Sequence, residues 1–87
     1  MTTALEIEQR LARLNPLSLE IIDESGKHVG HEGAKSGGGH YHLRIVSPAF
    51  AGASRISRHR MVYDALGDLM QREVHALAIE AFAPDEL

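Results

Sequence analysis

The stretch Phe50-Ala51-Gly52-Ala53-Ser54-Arg55-Ile56-Ser57-Arg58-His59-Arg60-Met61-Val62-Tyr63 reads as a turn running into a helix. Val74-His75-Ala76-Leu77, beginning fifteen residues past His59, opens a final apolar strand. Within the helical part, His59, Val62, Leu66 and Leu69 recur at steps of three and four, the spacing of one buried stripe. Ser54 or Ser57 is placed to cap the helix. Ahead of the turn, Tyr41, Leu43 and Ile45 alternate with His42 and Arg44, as in a half-buried strand. A strand, a helical crossover and a strand in one sheet make a parallel pair with a right-handed connection.

Working outward, Ala4, Ile7, Leu11 and Leu14 form the apolar stripe of a first helix, and Thr3 with Glu6 has capping-box spacing. Asn15-Pro16 stops that helix, because the residue before proline is pushed out of the helical region. Leu17, Leu19 and Ile21 then alternate with Ser18 and Glu20 as a first strand. Residues 24–39 show no periodicity and hold six of the eight glycines, so a long flexible Gly/His loop is expected there. In the last strand His75, Leu77, Ile79 and Ala81 are expected on one face, and Pro84 ends it before a tail too short to form much. The fold class that follows is α+β: two layers, a three-stranded mixed sheet with helices on one face, in the order α-β-β-α-α-β. One domain, residues 3–83, accounts for the chain.

With 87 residues the chain sits near the lower end of what folds without staples, and 44% hydrophobic residues supply a modest core. It has six histidines and no cysteine, which excludes a disulfide framework, a cysteine zinc finger and a thiol nucleophile. No apolar run nears the ~20 residues of a membrane span and no signal peptide is evident, so a cytoplasmic chain without a membrane partner is expected. The net charge of −3 argues against a dedicated nucleic-acid coat, although Arg55, Arg58 and Arg60 make a local basic patch. No phosphate-binding loop, nucleophile elbow or metalloprotease helix is present, and Asp23-Glu24 and Asp85-Glu86 are adjacent pairs that point apart or dangle. Neither an enzyme nor a small-molecule substrate is expected. Gly30-His31-Glu32-Gly33 matches the Gly-x-x-Gly of nucleic-acid-binding KH domains only as a string, lying between strands and carrying an acid.

Several of these features occur together in one known family. Asp23-Glu24-Ser25 with His28, the Gly-rich stretch ending at His40, Val46-Ser47 with Phe50 and Gly52, Arg58-His59-Arg60-Met61-Val62-Tyr63, and Val74-His75-Ala76-Leu77 follow one another as in the BolA family. The chain resembles that family over roughly Glu6 to Phe82, and the family is similar in fold to class II KH domains. The resemblance implies a partner-dependent role: pairing with a monothiol glutaredoxin and co-ligation of a [2Fe-2S] cluster, for iron-sulfur trafficking or iron sensing. Thiolates would come from the glutaredoxin and from glutathione, with no cluster expected in the isolated chain. The family ligand near the last strand matches His75, and the loop ligand matches His28 or His31. Counting from Asp23-Glu24-Ser25 picks His28; counting back from His40 picks His31. Neutral imidazole suits iron, and replacing thiolate by histidine raises a cluster's potential.

The residues themselves leave other readings open. His75 also fits a core-edge histidine satisfied by backbone, and His28 and His31 fit solvated loop positions. His40 and His42, two apart on a strand, share a face. His42 reads as solvated, and His40 as outer-shell support for the ligands. His59, on the buried stripe, reads as structural. Arg58 and Arg60 flank it and are expected to point outward. Arginine is unfavourable at a helix N-terminus, which hints at use on phosphate, DNA or an acidic partner. The alternative function is accordingly a DNA-binding transcriptional regulator that contacts duplex DNA through the helix-turn-helix-like segment Gly52–Tyr63, with Arg55, Arg58 and Arg60.

Overall fold

A computed structural model of the chain describes residues 3–24 and 39–87. Helix α1 (Thr3–Leu11) buries Ile7 and Leu11 completely, with Ala4 and Leu14 packed beside them, as their spacing predicts. A 3-10 turn at Ala12–Leu14 follows, and Asn15 closes it in the left-handed conformation (φ 51°). Strands β1 (Ser18–Asp23) and β2 (Gly39–Val46) pair antiparallel, with Leu19 opposite Ile45 and Ile21 opposite Leu43. Leu17 stays outside β1 and is 68% exposed, so the alternation begins one residue later than expected.

After β2 a 3-10 turn, Pro48–Phe50, reverses the chain, and Ser47 caps it. The crossover is made by α2 (Arg55–Leu66) and the four-residue α3 (Leu69–Arg72), and β3 (Val74–Phe82) returns parallel to β2. The sheet order is β1-β2-β3, a mixed three-stranded sheet, so the α+β two-layer fold expected from the sequence is the fold observed. Ser54 caps α2, its Oγ accepting the Ser57 amide at 3.1 Å. The stripe Val62, Leu66, Leu69 is buried, but on two helices. The break falls at Gly67 (φ 56°), a conformation other L-residues rarely adopt, where the amide returns to the Tyr63 carbonyl at 2.9 Å.

The core lies on one side of the sheet. Tyr41, Leu43 and Ile45 face Ile7, Leu11, Val62 and Leu66, with Leu77, Ile79 and Ala81 alongside from β3. Phe50, fully buried, plugs this layer from the turn between β2 and α2. Arg10 ties the two long helices together, donating to the Leu66 carbonyl at 2.9 Å and the Asp68 carboxylate at 3.0 Å. The other sheet face carries His42, Arg44 and Glu80, with the Arg44 guanidinium 5.5 Å from the Phe82 ring centre.

Ser47 is the buried polar side chain of this layer. Its Oγ donates to the Leu14 carbonyl (2.5 Å) and accepts the Ala49 amide (3.1 Å), joining the end of β2 to the turn after α1. Ser47→Ala orphans both groups, and urea denaturation should show a loss of about 1–3 kcal/mol. A loss inside measurement error would mean that these bonds contribute nothing net.

Candidate metal centre and basic helix

The expected ligand His75 stands at the start of β3, and its position depends on an irregularity that simple alternation does not anticipate. Gly39 pairs with Val74, but His40 pairs with Ala76, so His75 is an extra residue in the ladder. Regular pairing resumes at Tyr41–Leu77. His75 is therefore not one of the row Leu77, Ile79, Ala81, as periodicity suggested: it is exposed, between buried Val74 and exposed Ala76. Its ring lies against that of half-buried His40, with centroids 5.1 Å apart and planes 34° from parallel. The backbone beneath is anchored, since the Gly39 amide donates to the Glu73 carbonyl at 2.8 Å. Gly39 is required there, because a Cβ would run into the buried Tyr41 ring.

His28 and His31, the alternatives for the loop ligand, lie outside the described residues, as does nearly all of the 24–39 loop. The flanks of that segment are fixed: the Glu24 amide donates to the His40 carbonyl at 2.7 Å, and Asp23 pairs with Tyr41. Both ends therefore emerge beside the strand pair that carries His40 and His75. Among the described residues no three His, Cys, Asp or Glu side chains converge as a metal-binding group. His42 is part-exposed on the open sheet face, with Nε2 2.8 Å from Glu80 Oε2.

The basic helix is rearranged relative to expectation. Arg58 does not point outward. Its Nε donates to the Ala53 carbonyl at 2.9 Å, one amino group to the Ala81 carbonyl at 3.1 Å, and the fork grips Glu86 at 2.5 and 2.8 Å. Its side chain is only 12% exposed. Glu86 does not dangle: it sits in a 3-10 turn, Pro84–Glu86, and also accepts the Ala83 amide at 2.7 Å. The ion pair with Arg58, then the Ala83 amide, pull its carboxyl down to about 2, and the same pair raises the Arg58 guanidinium. Sequence reasoning missed this clamp. Its available signal was Ala83-Pro84-Asp85-Glu86, with Pro at a first-turn position and Glu two residues later. Arg55 and Arg60 are exposed, and His59 is half-buried between two shallow depressions on either side of α2.

No helix among the described residues is long and apolar enough to cross a membrane. The chain is 40% identical over 89 residues to SufE-like protein 1, chloroplastic/mitochondrial, of Arabidopsis thaliana, covering 95% of this chain and 24% of that protein. It is 37% identical over 81 residues to the DNA-binding transcriptional regulator BolA of Escherichia coli, covering 92% of this chain and 74% of that one. The chain thus spans about a quarter of the first relative's length. In structure it matches the BolA domain of SufE1 from Arabidopsis thaliana with a TM-score of 0.84 and 40% identity, over 100% of this chain and 98% of the other. The profile of the BolA-like protein family matches residues 11–86, and the chain belongs to that family.

Proposed function

We propose that this chain is an adaptor that pairs with a monothiol glutaredoxin and shares a [2Fe-2S] cluster with it, for iron-sulfur trafficking or iron sensing. The observation that carries the reading is His75, an exposed imidazole on a bulge whose backbone is fixed by a buried strand. Such a donor is presented to a partner without reorganising the core. His40, ring against ring at 5.1 Å, restricts the orientations His75 can take. The second donor is His28 or His31, on the segment whose two ends emerge beside His40. The donor set fits a shared site. Imidazole suits iron, and a chain with no cysteine offers one half of a coordination shell that partner thiolates complete. When bound, such a cluster supplies one-electron chemistry and transferable iron and sulfide.

The test is anaerobic reconstitution of the chain with a monothiol glutaredoxin, glutathione, iron and sulfide, followed by visible circular dichroism. A spectrum distinct from that of the glutaredoxin homodimer, reverting with His75→Ala, is expected. A homodimer spectrum unchanged by adding this chain would sink the reading. His28→Ala and His31→Ala, measured in the same way, separate the two loop candidates.

A second reading, DNA binding through the segment Gly52–Tyr63, is supported by the name of the Escherichia coli relative and by exposed Arg55 and Arg60. With Arg58 held by Glu86, Arg55 and Arg60 are the arginines of that cluster without an ion pair among the described residues. The salt dependence of binding to duplex DNA should then be shallow, roughly −0.9 per phosphate contacted in log–log slope. No binding at moderate salt would remove this reading.

A further inference from the structure

One face of α2 has no role in either the core or the proposed cluster site. Ile56, His59, Arg60 and Tyr63 follow at helical spacing and line a shallow depression of about 320 Å3. They lie away from Val62 and Ala65, which the helix buries. Ile56 is 73% exposed and Tyr63 41% exposed. Two large apolar side chains are thus held in water seven residues, or about 10.5 Å, apart along a rigid helix.

The charges around them have a pattern. Arg55, His59 and Arg60 crowd the N-terminal half, where the helix dipole disfavours cations, and Arg55 and Arg60 form none of the ion pairs of the described residues. Asp64 stands one turn beyond Arg60, so the face has a positive end and a negative end. The same helix already receives a carboxylate: Glu86 docks on Arg58 at its base, beside Arg55 and His59.

We propose that this face of α2 is a docking surface for an acidic amphipathic helix of a partner protein. Apolar side chains of the partner cover Ile56 and Tyr63, and its carboxylates meet Arg60 and Arg55. Helix-on-helix recognition of this kind takes anchors at three-, four- and seven-residue spacing, which is what the face offers. The Asp64 end sets the direction of the incoming helix. A nucleic acid fits less well, because the middle of the face is apolar and a duplex would set phosphates against Ile56. The surface is independent of His75, so the cluster reading can fail without affecting it.

The test is selection of a displayed random-peptide library on the full chain, followed by fluorescence anisotropy with the enriched peptides. Enriched sequences are expected to interleave acids with apolar residues at three- or four-residue spacing. Their binding should weaken at least about tenfold with Ile56→Ser and with Arg60→Glu, and not at all with His75→Ala. Both substituted positions are exposed, and far-UV circular dichroism checks that the variants fold. Enriched peptides that are basic, or insensitive to Ile56→Ser, would overturn the proposal. Duplex DNA that binds, is lost with Arg60→Glu and is unaffected by Ile56→Ser would assign the face to nucleic acid. Self-association abolished by Ile56→Ser would assign it to a second copy of the chain. Either result also overturns the proposal.

Discussion

Phe50→Ala is expected to remove about 3–5 kcal/mol of folding stability, the range for emptying a buried aromatic site. Phe50 is the largest fully buried side chain among the described residues, and it touches solvent nowhere. It also sits where the chain cannot readily collapse around a void. The Pro48–Phe50 turn is pinned by Phe50 N to Ser47 O (3.1 Å) and Ala53 N to Phe50 O (3.0 Å), and Ser47 is itself bonded to the turn after α1. A small domain holds roughly 5–15 kcal/mol in total, so the variant loses a large share of its reserve. In urea the unfolding midpoint should fall by at least about 1 M, and Phe50→Leu should fall less because it refills most of the volume. Equal midpoints for Phe50→Ala and the parent would show that the turn does not pack as described.

The second large effect concerns the clamp between α2 and the C-terminal turn. Arg58→Leu removes both guanidinium hydrogen bonds to the Glu86 carboxylate and orphans the Ala53 and Ala81 carbonyls. It should lower the melting temperature well beyond Arg60→Leu, whose side chain is exposed. Equal melting temperatures for the two variants would refute the clamp. The pH dependence has a defined sign. The Glu86 carboxyl, ordinarily near 4.5, is held at about 2 in the folded chain. Folding therefore favours the ionised form, and that contribution is complete above pH 4.5 and is lost as pH falls towards 2. Asp68, lowered by Arg10 and then Arg72, acts in the same direction. Glu86→Gln should reduce stability at neutrality and flatten the acid limb of a plot of melting temperature against pH. A limb with unchanged slope would show that the pair contributes nothing.

The parts of this fold legible in the sequence are those governed by local periodicity. The stripe Ile7–Leu11, the alternation Leu43–Ile45 and the strand–helix–strand order needed only neighbours along the chain, and they sufficed for the mixed sheet. The misplacements have two causes, a distant partner or a single broken repeat. Counting by twos from Leu77 puts His75 in the core row; an extra residue in the ladder, set by pairing with β2, removes it. Counting by threes and fours carries α2 through Leu69; a left-handed glycine ends it at Leu66. Arg58 reads as an outward charge until Glu86, 28 residues on, folds back onto it. The basic patch was legible as composition, and its division into a clamped Arg58 and exposed Arg55 and Arg60 was not.

The anchoring of the sheet around Glu24 and His40 bears on how such a protein can be altered. The amide–carbonyl bond between them, with the Asp23–Tyr41 pair behind it, fixes the two ends of the intervening stretch independently of what lies between. Closing a longer loop between fixed ends costs only about 0.6 kcal/mol per doubling of length. Sequences of other composition and length grafted between Glu24 and Gly39 are therefore expected to leave the sheet, the bulge at His75 and the basic helix unchanged. A set of grafts at this one junction, compared by thermal melting, would measure how much change the scaffold tolerates there.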